Sequence, residues 1–151
     1  MQIRPYEQRD REAALKLAPR LVAGIAPWRD EHAARASYVD TVAWSIDHSD
    51  GDQEMAVFVA EDDDGLAGIV TVMEKGHFTG QKDAYVEGLA VGERRSRSGV
   101  GTELMSAAEG WGRKRGHTRL LIETGAANKV AREFYGAIGY EEEEVKLSKA
   151  L

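Results

Sequence analysis

The stretch AYVEGLAVGERRSRSGVGTELM, residues 84–105, decides the fold class of this chain. Its first eight residues form an apolar run typical of a strand, and from Val100 onward apolar residues recur at helical spacing. The short basic loop between these two segments ends at Gly99 and Gly101. A helix start offers unpaired N–H groups, and glycine lets an anion approach the backbone, so we expect an anion site here. The alternative is an ordinary tight turn into the helix.

Weaker patterns on both sides of this stretch predict the remaining elements. Pro19 is expected to bend or break the first helix, and Asp30 to cap the second. The predicted elements, in chain order, are a strand at 2–6, a helix at 11–24, a helix after Asp30, a hairpin at 54–75 that turns at Asp64-Gly65, a strand at 84–91, a helix at 100–115, a strand at 118–124, a helix at 129–139 and a closing strand at 140–149. This order is typical of a mixed α/β layer fold with at least one crossover unit.

Length and composition limit the classes of protein. A chain of 151 residues without cysteine predicts a single domain, residues 1–151, with no disulfide framework. The charged N-terminus and the lack of a long apolar run predict a cytoplasmic protein with no membrane segment. A net charge of −6 argues against a nucleic-acid partner. Arginine-rich runs at 94–97 and 113–115 favour one anionic ligand, whereas the acidic remainder favours a cationic second partner.

Several common motifs are excluded by their spacing. Leu104 stands where a dinucleotide-binding fingerprint needs a third small residue, and the loop lacks the lysine of a nucleotide P-loop. The acidic run at 61–64 lacks the closing glutamate of a calcium loop, and we expect it, like the run at 141–144, to be a solvated edge. The histidines, at positions 32, 48, 77 and 117, have no ligand spacing, so we expect surface or loop positions and no metal site.

Two motifs in register resemble those of the GNAT family of N-acetyltransferases. The first is SRSGVG at 96–101, which follows LAV at 89–91, and the second is NKVAREFYGAIGY at 128–140. The resemblance implies a mixed sheet of six to seven strands flanked by about four helices, the acyl-CoA N-acyltransferase fold. It also implies acetyl-CoA as co-substrate. Family members usually carry Gln or Arg at the position of Ser96, so Arg95 or Arg97 is expected to supply that charge instead.

The resemblance implies a set of residues that bind the co-substrate. Backbone N–H groups at the glycine loop would hold the pyrophosphate of coenzyme A, and the free strand edge before it would pair with the pantetheine arm. The implied residues are Leu89, Ala90, Val91, Arg95, Arg97, Ser98, Gly99, Val100, Gly101, Thr102 and Asn128. Each has a plain structural alternative: core side chains for Leu89 to Val91, a solvated charge run for the arginines, and a helix cap for Asn128.

The resemblance also implies two catalytic residues. Tyr135 would act as general acid toward the departing thiolate, and Glu87 would take a proton from the amine, commonly through water. The alternatives are a core aromatic for Tyr135 and an outward strand residue for Glu87. In this family the early helices usually line the acceptor site, so their large side chains are further candidates for its walls. These candidates are Trp28, His32, Tyr38 and Trp44.

The function expected from these motifs is acetyl transfer from acetyl-CoA to a primary amine, by direct attack in a ternary complex. The acidic balance favours a small cationic amine over a protein acceptor. Family members often pair through a sheet edge or the last strand, which allows a homodimer. Two alternatives stay open: a catalytically inactive module that binds or senses acyl-CoA, and a structural domain without a cofactor.

Overall fold

The computed structural model describes residues 1–49 and 54–151, and within them five strands form one mixed sheet. The strands are β1 (Gln2–Pro5), β2 (Met55–Asp62), β3 (Gly65–Gly76), β4 (Lys82–Val91) and β5 (Leu120–Ile122). They lie side by side in chain order; the first three pairings are antiparallel, and β4 runs parallel to β5. The predicted mixed α/β class is therefore confirmed, although the sheet has fewer strands than the six to seven expected.

The helices lie at the predicted positions, but the first ends seven residues before its predicted boundary at residue 24. They are α1 (Arg11–Leu17), α2 (Glu31–His48), α3 (Val100–Lys114) and α4 (Lys129–Ala137). Pro19 ends α1 as predicted, because the chain continues only as the 3-10 helix Ala18–Val22. Asp30 caps α2, since its carboxylate accepts a hydrogen bond from the Ala33 amide at 3.0 Å. No helix of the described ranges is long and apolar enough to cross a membrane.

Both faces of the sheet are covered. On one face the buried side chains of β3 and β4, such as Val72 and Val86, pack with Leu104 and Met105 of α3. On the other face β2 and β3 pack against α1 and α2. A central strand that is buried on both faces has apolar residues at consecutive positions, which explains the sequence of β3. The helix α3 is thus the crossover that carries the chain from β4 to its parallel neighbour β5.

The predicted closing strand at 140–149 is wrong. The structure has no regular element there, and Val145 and Leu147 are exposed. Four consecutive glutamates repel one another, and glutamate is a poor strand former, so this segment gains little by pairing with the sheet. The strand expected at 118–124 is also shorter than predicted, since only Leu120–Ile122 pairs with β4.

His117 lies in the loop between α3 and β5, one of the two kinds of position predicted for the histidines, but it is not at the surface. The His117 side chain is only 7% exposed, and its Nε2 lies 3.0 Å from a carboxylate oxygen of Glu74. Its ring stacks toward Trp111 at 6.2 Å between centroids. It lies beside the far end of α3, away from the glycine loop. In the described residues no group of three or more His, Cys, Asp or Glu side chains is placed to hold a metal ion.

Candidate active site

The sheet opens between its two parallel strands. The pairing of β4 with β5 ends at Val86 and Ile122, so the later residues of β4 face a gap instead of a neighbour on that side. A bulge coincides with this point: Thr71 pairs with Gly88 and Val72 with Val86, which leaves Glu87 as the extra residue. The backbone edge of β4 beyond Glu87 is consequently available to an extended ligand.

The three residues expected to pair with that ligand also contribute to the core. Ala90 is 3% exposed, and Leu89 and Val91 pack against the cluster beneath α3. Their other backbone edge is held by β3, in register with Val70, Ile69 and Gly68 respectively. Their side chains are therefore core, as the alternative interpretation held, while the backbone toward β5 stays open. The two interpretations are compatible.

The two glycines of the loop are needed for different reasons. Gly99 precedes α3 with a φ of 86°, which L-residues rarely adopt, and a Cβ there would meet no atom within 4 Å. Gly101 lies inside the helix, where a Cβ would approach the Phe134 ring to 3.1 Å. The first N–H groups of a helix have no partner within it, so those of Val100 to Thr102 lack an intrahelical acceptor at the start of α3.

Several polar groups of the loop before α3 already have partners within the protein. Arg95 forms an ion pair with Asp62 at 2.7 Å and a second with Asp64 at 3.1 Å, which ties the loop to the β2–β3 turn. The Ser98 hydroxyl and amide both donate to the Arg95 carbonyl. Arg97 has a φ of 63°. The acidic run at 61–64 is thus partly engaged rather than merely solvated, and the amides that remain for an anion are those at the start of α3.

Asn128 caps α4, which confirms the structural alternative given for it. Its Oδ1 accepts from the Ala131 amide at 3.1 Å. Its Nδ2 donates to the Ala23 carbonyl at 3.0 Å, across 105 positions of the chain. At the same place Gly24 and Gly125 touch so closely that a Cβ on Gly125 would lie 2.0 Å from the Gly24 oxygen. We call this contact of residues 23–24 with 125–128 the bridge; no local pattern in the sequence predicts it.

Tyr135 lies on α4 among aromatic rings. Its ring centroid is 5.1 Å from that of Phe134 and 5.8 Å from that of Tyr140. Burial raises the pKa of Tyr135 to about 12, so the hydroxyl keeps its proton at neutral pH. Because its neighbour Phe134 packs on Gly101, α4 and the start of α3 form one packed unit. The phenol is therefore protonated and lies among packed aromatic rings.

Glu87 belongs to a polar group that the sequence did not predict. Burial raises the pKa of Tyr85 above its ordinary range, and the charges of Glu123 and Glu87 and a hydrogen bond with Glu123 add to the shift. The ammonium of Lys75 lies 3.8 Å from the centre of the Tyr85 ring and 4.0 Å from Glu123 Oε1. Tyr85 pairs with Leu121, so Glu123, two residues further, shares its face. The sequence alone does not show how β4 and β5 are aligned, so this group could not be predicted from it.

The predicted acceptor walls have different surroundings in the structure. Tyr38 of α2 is close enough to Tyr85 for its charge to affect that residue's pKa. Trp28 is 67% exposed in the segment before α2. Trp44 is 49% exposed and stacks on His48 at 4.4 Å, about 9 Å further along the helix than Tyr38. The structure therefore brings Tyr38 close to the group around Tyr85.

A mixed sheet whose parallel pairing ends early, beside the N-terminus of a helix, places this chain among the α/β proteins. The chain belongs to the acetyltransferase (GNAT) family, whose sequence profile matches residues 22–140. No protein of curated function matches the sequence significantly.

Solved structures share the fold along the whole chain. An aminoglycoside antibiotic 6'-N-acetyltransferase from Acinetobacter haemolyticus has 20% identity and a TM-score of 0.74, with 100% of this chain and 99% of that chain covered. A putative acetyl transferase from Pyrococcus furiosus has 20% identity and a TM-score of 0.77, with 99% of each chain covered. AAC(6')-Iy, solved in complex with the bisubstrate analog CoA-S-monomethyl-acetylneamine, has 21% identity and a TM-score of 0.70, with 99% and 97% covered.

Proposed function

We propose that the protein transfers the acetyl group of acetyl-CoA to a primary amine of a small cationic acceptor. The observation that carries this proposal is the position of the gap: the open edge of β4 leads directly into the glycine loop and the unpaired amides of α3. Membership of the acetyltransferase family supports it. The complex of AAC(6')-Iy with a CoA-based bisubstrate analog supports acetyl-CoA as the co-substrate.

The residues present fit coenzyme A. Its pyrophosphate needs amide donors and room, and Gly99 has both open space in front of it and the positive end of α3 behind it. Its extended pantetheine arm carries amides, which would pair with the free edge at Leu89 to Val91. Since Arg95 is paired with two aspartates, Arg97 is the arginine that we assign to the phosphates. The Asn128 side chain already donates to Ala23 and accepts from Ala131, so a contact with the arm would use its second amide hydrogen or its second lone pair.

The chemistry needs two protons removed from the amine nitrogen, one before and one after attack, and one supplied to the sulfur. An amine bound as an ammonium must lose a proton before it attacks the thioester carbon, and we assign this removal to Glu87, directly or through water. Attack forms the C–N bond; the C–S bond then breaks, and the nitrogen releases its second proton to water, which leaves the neutral amide. Tyr135 would give its proton to the departing thiolate and recover one from water; its raised pKa keeps the hydroxyl protonated before that step. A backbone amide near Leu89 would polarise the carbonyl, and positioning in a ternary complex would supply much of the acceleration.

Titration calorimetry with acetyl-CoA tests the proposal. Wild type should bind, and Gly99→Glu should bind at least tenfold more weakly, because it places a carboxylate where the phosphates would lie; one charge-assisted hydrogen bond alone corresponds to about 1.5–3 kcal/mol. Gly80→Glu is the matched control, since Gly80 has a φ of 89° and open surroundings in the β3–β4 turn. The control should bind like wild type. Absence of binding to wild type would refute the proposal.

Release of free coenzyme A then separates an enzyme from a binding module. Wild type is incubated with acetyl-CoA and a panel of primary amines, and the free thiol is measured. Amine-dependent release supports acetyl transfer. Tight binding of acetyl-CoA without release by any amine would favour the inactive sensing module instead.

A further inference from the structure

One face of the sheet beside the gap holds an ammonium group of the protein itself. The Lys75 Nζ lies over the Tyr85 ring at 3.8 Å and within 4.0 Å of the Glu123 carboxylate. An aromatic face and a carboxylate together are the usual surroundings of a bound alkylammonium ion. Lys75 therefore shows how a primary alkylammonium fits at this position. We call Tyr85 and Glu123 the ammonium seat.

The seat is unsuited to the amine that attacks. A ring face and a carboxylate stabilise the protonated form, so they raise the pKa of the amine they hold and oppose its deprotonation. The attacking amine must be neutral. The seat is also displaced along β4: Tyr85 precedes Glu87 by two residues and Leu89 by four, which correspond to about 7 and 13 Å of extended strand. An acceptor could place one amine near Glu87 only by extending away from the seat.

From this arrangement we infer that the acceptor carries at least two amino groups, and that Tyr85 and Glu123 bind the one that is not acetylated. The inference rests on the proposed function. In it Tyr85 and Glu123 determine specificity, Glu87 acts on the attacking amine, and the ammonium of Lys75 is displaced when the acceptor binds. Lys75 and Glu123 are 51% and 80% exposed, so this exchange requires no rearrangement of the core.

The charge and burial of the seat set the size of the expected effect. Exposed cation–π contacts and exposed ion pairs are each worth about 0.2–1 kcal/mol, so removing either partner should weaken binding by roughly threefold rather than abolish it. The contribution of Glu123 should decrease at high ionic strength, because exposed charges are screened within about 10 Å at 0.1 M salt. Removal of the Lys75 ammonium should instead strengthen binding of the acceptor, since it removes the cation that competes for the seat.

The experiment compares two amines of equal length, hexamethylenediamine and hexylamine, titrated calorimetrically into protein saturated with coenzyme A. Wild type should prefer the diamine, and this preference should fall with added salt. Glu123→Gln should reduce the preference about threefold, Lys75→Met should increase it, and Tyr85→Phe, which keeps the ring, should retain more of it than Tyr85→Leu. Circular dichroism checks that each variant is folded; Glu123→Gln, at an exposed position, provides the test if a Tyr85 variant is not.

Equal affinity for the two amines, or no binding of either, would overturn the inference. So would an unchanged preference in Glu123→Gln, or a reduced preference in Lys75→Met. These results would leave the proposed function standing as long as acetyl-CoA binds. Failure of acetyl-CoA and coenzyme A to bind at all is the separate result that would remove the proposed function itself.

Discussion

The conformation of Gly99 can be tested apart from its role in binding, through Gly99→Ala. A φ of 86° costs an L-residue about 1–2 kcal/mol, and the added methyl group would meet no atom within 4 Å, so conformation is the only unfavourable term in the folded state. Loss of chain entropy in the unfolded state returns about 0.4–1 kcal/mol. The net loss should therefore be about 1 kcal/mol, or a fall in Tm of about 2–5 °C for a chain of this length.

Gly80→Ala provides the control. Gly80 has a φ of 89° and equally open surroundings, so the two variants should lose the same stability in thermal and urea unfolding. They should differ in acetyl-CoA affinity. Only at Gly99 would a relaxed φ turn the amides of α3 away from the ligand, and one such hydrogen bond to a charged group is worth about 1.5–3 kcal/mol, or at least tenfold in Kd.

Two results would refute this reasoning. If Gly99→Ala were as stable as wild type while Gly80→Ala were not, the loop would not be held at positive φ. If the two variants bound acetyl-CoA equally well, the geometry at Gly99 would not position the phosphate donors. In either case the glycine would be only a turn residue.

Two further predictions concern single side chains. Tyr135→Phe should lower kcat on the order of 100-fold with little change in KM, as expected for loss of a general acid. Because the pKa of Tyr135 is raised to about 12, the kcat of the wild type should show no loss from ionisation of this tyrosine below about pH 10. An unchanged kcat in the variant would exclude this role. Arg4→Met should cost about 3–5 kcal/mol in urea unfolding, because it leaves the Asp10 carboxylate, 5% exposed, without the partner 2.7 Å away. Arg4 lowers the pKa of Asp10, so the ion pair stabilises the wild-type protein fully above pH 3.8, the ordinary pKa, and this stabilisation is lost as pH falls through the lowered pKa. A loss of stability under about 1 kcal/mol in Arg4→Met at neutral pH would contradict this prediction.

Local signals in the sequence predicted the elements that depend on local causes. Pro19 and Asp30 act within one helical turn, and the apolar period of α3 depends only on which side of the helix packs on the sheet. The closing strand was predicted wrongly because alternation at Val145 and Leu147 resembles a strand whether or not a partner edge accepts it. Strand pairing depends on distant residues, and the four glutamates before it oppose that pairing.

The residues of the candidate site likewise divide into those that a local motif indicates and those that depend on distant contacts. The glycine loop, Tyr135 and Glu87 could be named as candidates because each lies within a contiguous motif, and their roles stay predictions. The ammonium seat was missed, since it depends on the register that sets Tyr85 opposite Leu121 and so brings Glu123 to the same face. The alternative for Asn128 was confirmed from sequence spacing alone, whereas its hydrogen bond to Ala23 was not predictable.

The bridge also constrains the order in which the molecule assembles. Closing a chain segment of 105 residues for a single hydrogen bond costs about 4 kcal/mol of configurational entropy, more than such a bond returns. The bridge between Ala23 and Asn128 therefore cannot form early, and must wait until the sheet has already brought the two segments together. This contact is therefore a late addition to the fold, made on segments that the strands already hold in place.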